Sequence, residues 1–179
     1  MAMVVLHFIK REFETIFVHK FSANTMPAFN IFKNSGHYWG LSGFNLAYWL
    51  YAPTALAAKP SFALSTPITY AGIALYIYGE LSNLYTHLTL SSLRSRGGTE
   101  RGIPTGYGFN WVTCPNYLFE TIAWVGICLV SRSWSTVLFT VVAWAQMQQW
   151  ARQKERQYRT DFGDRYKKHK HVLLPIPGL

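Results

Sequence analysis

Cys114-Pro115-Asn116-Tyr117, followed by Glu120, is the segment of this chain best equipped for chemistry. Pro115 suits the first turn of a helix, where its missing N–H is no loss. Asn116 and Glu120 then lie one turn apart on that helix. Tyr117 reads in two ways. It is an amphipathic ring of the kind that anchors at an interface, or a phenol held in a partly dry site that donates a proton.

A second group is Glu80, Asn83, His87 and Arg94, at spacings of 3, 4 and 7. At helical periodicity they fall within about 60° of one another, on one face. Such a stripe suits a ligand with a deep polar head and phosphates near Arg94. It equally suits a hydrogen-bonded contact between helices. In a third group, Gln146, Gln149, Gln153 and Gln157 share a helical face, with Lys154 and Tyr158 one turn apart beside them; a solvated face is the competing reading. Cys114 and Cys128 have no metal-ligand spacing and read as buried free thiols, so no metal is expected. No G-x-G-x-x-G, Walker loop, H-E-x-x-H or G-x-S-x-G occurs, which excludes a nucleotide-binding Rossmann domain.

The elements that must carry these residues are apolar helices. Of 179 residues, 50% are hydrophobic, 17% aromatic and only 14% charged, against about 25% charged in soluble domains. Residues 34–58, 60–79 and 133–151 hold no Asp, Glu, Lys or Arg. Runs of about 20 apolar residues suffice to cross a bilayer. The pattern predicts an all-α, multi-pass transmembrane bundle of about five helices, over 3–22, 36–57, 67–91, 112–131 and 133–151. The first carries Lys10, Arg11, Glu12 and Glu14 and must turn one side to protein or water. Arg132 marks a tight turn between the last two, and 95–110, rich in Gly, is the main loop.

The net charge of +9 is concentrated. Residues 152–171 hold eight basic side chains against three acids, and Arg94, Arg96 and Arg101 cluster near the preceding loop. One hairpin separates the two basic regions, which places both on the cytosolic face and 58–66 on the luminal one. Lys167-Lys168-His169-Lys170-His171 reads as an anchor to anionic lipid and not as a nucleic-acid site. No basic segment precedes apolar residues 1–9, which argues against a cleaved signal peptide.

Three stretches resemble the very-long-chain enoyl-CoA reductases, within the steroid 5-alpha-reductase superfamily. They are Phe17-Val18-His19-Lys20-Phe21-Ser22 through Thr25-Met26-Pro27 to Asn30-Ile31-Phe32-Lys33-Asn34; Ile103-Pro104 through Tyr117 and Glu120; and Trp150-Ala151 with Lys154, Tyr158, Asp161 and Phe162. The resemblance covers nearly the whole chain as one C-terminal membrane domain. It implies that the family's N-terminal ubiquitin-like part and first membrane helices, including one with a catalytic Glu, are absent here. His7-Phe8 stands where relatives commonly have His-Tyr.

The resemblance implies NADPH-dependent reduction of a long-chain trans-2-enoyl-CoA to the saturated acyl-CoA. That is the last step of the very-long-chain fatty acid elongation cycle, performed in the endoplasmic reticulum membrane beside other elongation enzymes. It points to Tyr117 as catalytic, to Asn83, His87, Arg94, Asn116, Lys154 and Tyr158 as cofactor-lining, and to Glu80 and Glu120 as support. The competing readings are an inactive scaffold of the elongation complex and a membrane methyltransferase using S-adenosylmethionine.

Overall fold

The structure, a computed structural model, describes residues 2–20, 25–53, 66–95, 98, 102–167 and 171–173. Most of the described residues are helical, and no strand forms among them. Helix α1 spans Ala2–Phe13 and widens into a π-helical turn at Glu14–Val18. Helix α2 (Phe29–Ser35) continues through a π-helical stretch, Gly36–Leu46, into α3 (Ala47–Tyr51). Then follow α4 (Thr66–Ser92), α5 (Pro115–Ser131) and α6 (Trp134–Phe162), and a 3₁₀ turn at Gly163–Arg165.

The expected helices 67–91 and 112–131 match α4 and α5 closely. The first and second expected helices are each broken by π-helical geometry. The last is underestimated: α6 runs on to Phe162 because residues 152–162 have good helix formers and no glycine or proline until Gly163. The expected luminal loop 58–66 lies almost wholly outside the described residues. The expectation of membrane crossings meets a limit, since no helix among the described residues is long and apolar enough to cross a membrane. Helix α5 has 17 residues, and the longer α4 and α6 interleave their apolar positions with Glu80, Asn83 and His87 or with the charges beyond Ala151.

Helices α4 and α5 run antiparallel at very close range, and small residues make that possible. A methyl group on Gly79 would lie 2.5 Å from the Ala123 backbone nitrogen, and one on Gly126 2.5 Å from the Gly72 carbonyl oxygen. Around this seam Tyr76, Trp124, Ile127 and Phe139 form a core with Leu46 and Leu50. Phe8 packs edgewise on Trp124, ring centroids 6.2 Å apart.

The α5–α6 turn forms as expected at Arg132, which takes the left-handed conformation (φ 49°). Ser133 caps α6, its hydroxyl accepting from the Ser135 N–H at 3.3 Å. Before α5 the chain turns at Gly108 (φ 76°), where a Cβ would also strike the Pro115 ring carbon at 2.6 Å. The tail then returns: the Thr113 and Cys114 N–H groups donate to the His171 and Val172 carbonyls at 3.3 and 3.1 Å. This pins the entry of α5 from behind, and Leu173 is fully buried beside Val112 and Ala151.

Candidate active site

A cavity of about 460 Å³ opens where α5 begins, α6 passes and α4 ends. Asn116 and Tyr117 reach it from the first turn of α5, and Thr113 and Cys114 from the segment before it. Gln153, Lys154, Gln157 and Tyr158 line it from α6. Its apolar wall is Leu90, Phe109 and Trp150. Tyr117 and Trp150 have ring centroids 6.2 Å apart. The Lys154 ammonium sits 5.0 Å from the Tyr158 ring centroid and donates to Gln157 Oε1 at 3.3 Å.

Four of the expected site residues, Asn116, Tyr117, Lys154 and Tyr158, therefore meet in one cavity. Gln153 and Gln157 of the glutamine face line it too, so half of that face borders the cavity. Asn83 stands directly behind, its side-chain N–H donating to the Asn116 carbonyl at 2.8 Å. That bond holds the first turn of α5 against α4.

The rest of the α4 stripe turns toward α1 and not into the cavity. His7 presents Nδ1 to Glu80 at 2.7 Å and Nε2 to Glu120 at 3.2 Å. The Lys10 ammonium lies 3.0 Å from both Glu80 and Glu14 and donates to Asn83 Oδ1 at 2.5 Å. Glu14 also receives Arg11 at 2.9 Å and faces His87 Nδ1 at 3.1 Å. Arg94 lies further along: its guanidinium donates to the Lys20 carbonyl, and the Lys20 ammonium donates to the Arg94 carbonyl, each at 2.5 Å. Leu90, one turn earlier, is the nearest residue of α4 that lines the cavity.

His7, Lys10, Arg11 and Glu14 were not singled out as site residues from sequence. Their signal was legible, since positions 7, 10, 11 and 14 share one face of an otherwise apolar helix. The Glu14 carboxylate and the His19 and His87 rings offer three ligand atoms within 4.8 Å. However, Lys10 and Arg11 already place two positive charges on that carboxylate, so the cluster reads as an ion-pair junction.

A further polar cluster backs the cavity. Buried Glu155 accepts, through one oxygen, from the Thr113 hydroxyl at 2.5 Å and from the Tyr166 hydroxyl at 2.6 Å. Burial pushes the Tyr166 phenol up, and its bond to Glu155 pushes it further the same way. Tyr166→Phe leaves a buried carboxylate one donor short and is expected to destabilise the fold by about 1–3 kcal/mol. Thermal unfolding of the variant measures this, and an unchanged midpoint would show that the cluster contributes nothing.

Comparison with known proteins supplies the context for this geometry. The family model for 3-oxo-5-alpha-steroid 4-dehydrogenase matches residues 24–177. A very-long-chain enoyl-CoA reductase of Dictyostelium discoideum is 42% identical over 96% of the chain and 55% of its own length. A Caenorhabditis elegans protein named "Probable very-long-chain enoyl-CoA reductase" is 38% identical over 95% of the chain and 55% of its own. A human protein named "Trans-2,3-enoyl-CoA reductase-like" is 30% identical over 96% of the chain and 47% of its own. The chain thus spans about half the length of the curated relatives it matches. With its family model covering most of the sequence, the chain belongs to the 3-oxo-5-alpha-steroid 4-dehydrogenase family.

Proposed function

We propose that this chain forms the catalytic region of an NADPH-dependent trans-2-enoyl-CoA reductase acting in the last step of very-long-chain fatty acid elongation. The observation that carries the reading is the single cavity uniting Asn116, Tyr117, Lys154 and Tyr158. The names of its relatives support the substrate class.

The cavity's volume of about 460 Å³ lies within the range of small-molecule sites, 300–1,000 Å³. Its donors suit a phosphorylated dinucleotide: Lys154 supplies a positive charge for phosphate, Gln153, Gln157 and Asn116 offer amides to ribose hydroxyls, and Trp150 and Phe109 offer ring faces. When bound, NADPH supplies the hydride for the β-carbon of the enoyl thioester. Charge then grows on the thioester oxygen, and a positioned donor must stabilise it. Tyr117, at the head of α5 and braced through Asn116 by Asn83, gives its phenolic proton to the α-carbon. The apolar wall keeps water away from that step.

The reading further places the chain in the endoplasmic reticulum bilayer as a multi-pass bundle, its basic C-terminal region cytosolic and near the other elongation enzymes. Supporting it are large outward-facing side chains, among them Phe29 (76% exposed), Trp39 (79%) and Trp134 (85%). Helices too polar or too short to cross alone would share the bilayer with their charged faces turned onto one another. Release of the chain by alkaline carbonate, or protection of a C-terminal tag from added protease, would overturn this placement.

The activity is tested by NADPH oxidation with and without a long trans-2-enoyl-CoA. Substrate-dependent oxidation is expected. Absence of both turnover and saturable NADPH binding would move the assignment to a scaffold or to a methyltransferase. Lys154→Met is expected to raise the NADPH requirement about tenfold or more, the worth of a charge-assisted contact. An unaltered requirement would remove Lys154 from the cofactor site.

A further inference from the structure

A cation stands beside the cavity without lining it. Lys33 and His37 follow each other by one turn where α2 runs into the π-helical stretch, on the side facing α6. The His37 ring lies 5.2 Å from the Phe139 ring. The Lys33 ammonium lies 5.6 Å from the centroid of the Trp150 ring. These two contacts, at different heights on α6, hold this segment against it, so the fold sets where Lys33 stands.

Trp150 belongs to the cavity wall, and its ring also packs 6.2 Å from Tyr117. It is 41% exposed, which puts it at the rim. Lys154, one turn further along α6, is inside the lining. One indole therefore has an ammonium inside the cavity on its own helix and a second one, exposed, reaching it from α2. Among the described residues no carboxylate pairs with Lys33. A ring contact leaves its charge unneutralised.

The proposed reaction brings two polyanions to one site. A cavity of about 460 Å³ cannot enclose a dinucleotide and an acyl-CoA together, so the phosphates of one stay outside. Their chemistry decides which. In NADPH the pyrophosphate is one ribose from the nicotinamide, which must meet the substrate beside Tyr117. It therefore follows the ring inward, to Lys154. In an acyl-CoA a long flexible pantetheine arm separates the thioester from the diphosphate and the 3′-phosphate. The reacting carbons can reach Tyr117 while those phosphates remain beyond the rim, where Lys33 stands.

We propose that Lys33 binds the nucleotide phosphates of the acyl-CoA substrate at the cavity rim, and so sets a preference for CoA thioesters over phosphate-free thioesters of the same acyl group. This rests on the reductase reading given above. The two ammonium groups then divide the work: Lys154 serves the cofactor inside, and Lys33 serves the substrate outside. Trp150 between them keeps the phosphates of the substrate from following its acyl chain inward.

The test compares a long trans-2-enoyl-CoA with the N-acetylcysteamine thioester of the same acid, which has the same reacting atoms and no phosphate. Both are offered with NADPH to the chain purified in nonionic detergent. Lys33→Met keeps the aliphatic stem beside Trp150. In this variant the KM for the CoA substrate is expected to rise about fivefold relative to that for the phosphate-free thioester, the upper worth of an exposed ionic contact. Lys33→Arg should restore it, and added salt should shrink the difference. Lys33→Gln is expected to give the same shift, should the Met variant fold poorly. Equal changes for the two thioesters would make Lys33 a support for Trp150, and a raised NADPH requirement in their place would make it a cofactor ligand; either overturns the proposal. Equilibrium dialysis of free coenzyme A needs no turnover. Binding to Lys33→Met is expected to be about fivefold weaker. Equal binding, beside an unsubstituted chain that turns over, overturns the proposal and leaves the reductase reading intact. An effect present only in vesicles containing phosphatidylglycerol and absent in nonionic detergent assigns Lys33 to lipid phosphate and also overturns it. Coenzyme A bound through Lys33 by a chain that neither binds nor oxidises NADPH upholds the phosphate contact and overturns the reductase reading.

Discussion

Tyr117→Phe is expected to lower kcat for enoyl-CoA reduction by about 10²–10⁴-fold, the usual contribution of a general acid, while NADPH binding is unchanged. The substitution removes one oxygen and keeps the ring that packs 6.2 Å from Trp150. Cavity shape and cofactor contacts are therefore preserved, and the loss isolates the proton. Single-turnover oxidation of NADPH, with binding followed separately by fluorescence, distinguishes the two. Equal activity in the variant would take Tyr117 out of the mechanism. A loss of binding together with activity would instead make its role one of positioning.

The second large effect concerns stability. Gly79→Ala places a methyl group 2.5 Å from the Ala123 backbone nitrogen and 2.7 Å from the Phe119 carbonyl oxygen. Neither neighbour is a flexible side chain, so α4 and α5 must separate. Overpacking of a tight seam costs about 1–3 kcal/mol and sometimes more, against a gain of about 1 kcal/mol in helix propensity. A net fall of several degrees in unfolding midpoint is expected, at about 2–4 °C per kcal/mol for a chain of this size. Activity should fall further than stability, because separating the helices also pulls Asn83 from the Asn116 carbonyl, 2.8 Å away. Gly40→Ala is the control: nothing lies within 4 Å of its Cβ position, and no loss of stability is expected there. Equal midpoints for the two variants would show that the seam tolerates separation.

Helical content was legible without coordinates, because long apolar runs free of charge and poor in turn residues leave few alternatives. So was the head of α5: Pro115 can begin a helix and cannot continue one from before. Helix α6 was harder. Its charged second half looked like a tail leaving the bilayer, yet Ala151 is buried in one cluster with Leu173 and Val172 of the returning segment, and Tyr158 is buried against Tyr166, ring centroids 5.3 Å apart. That packing depends on backbone pairing with residues that share no local pattern with α6. The π-helical stretches at Glu14–Val18 and Gly36–Leu46 were not legible, since a change of hydrogen-bond register leaves little trace in residue type.

The polar stripe on α4 shows most clearly where sequence stops. Periodicity alone determined that Glu80, Asn83 and His87 share a face, as it determined that His7, Lys10, Arg11 and Glu14 do. It also placed Asn116, Tyr117 and Glu120 on one helical turn, and Lys154 and Tyr158 on another. Which of these faces meet was decided only by the tertiary structure. Close glycine packing of α4 on α5 orients the stripe toward α1, where its hydrogen-bond partners lie 73 residues away in sequence, and leaves the cavity to the start of α5 and the second half of α6. The reason is physical: helical spacing is a local property of the backbone, whereas the partner of a buried charge is set by which helices can approach closely enough to exclude water.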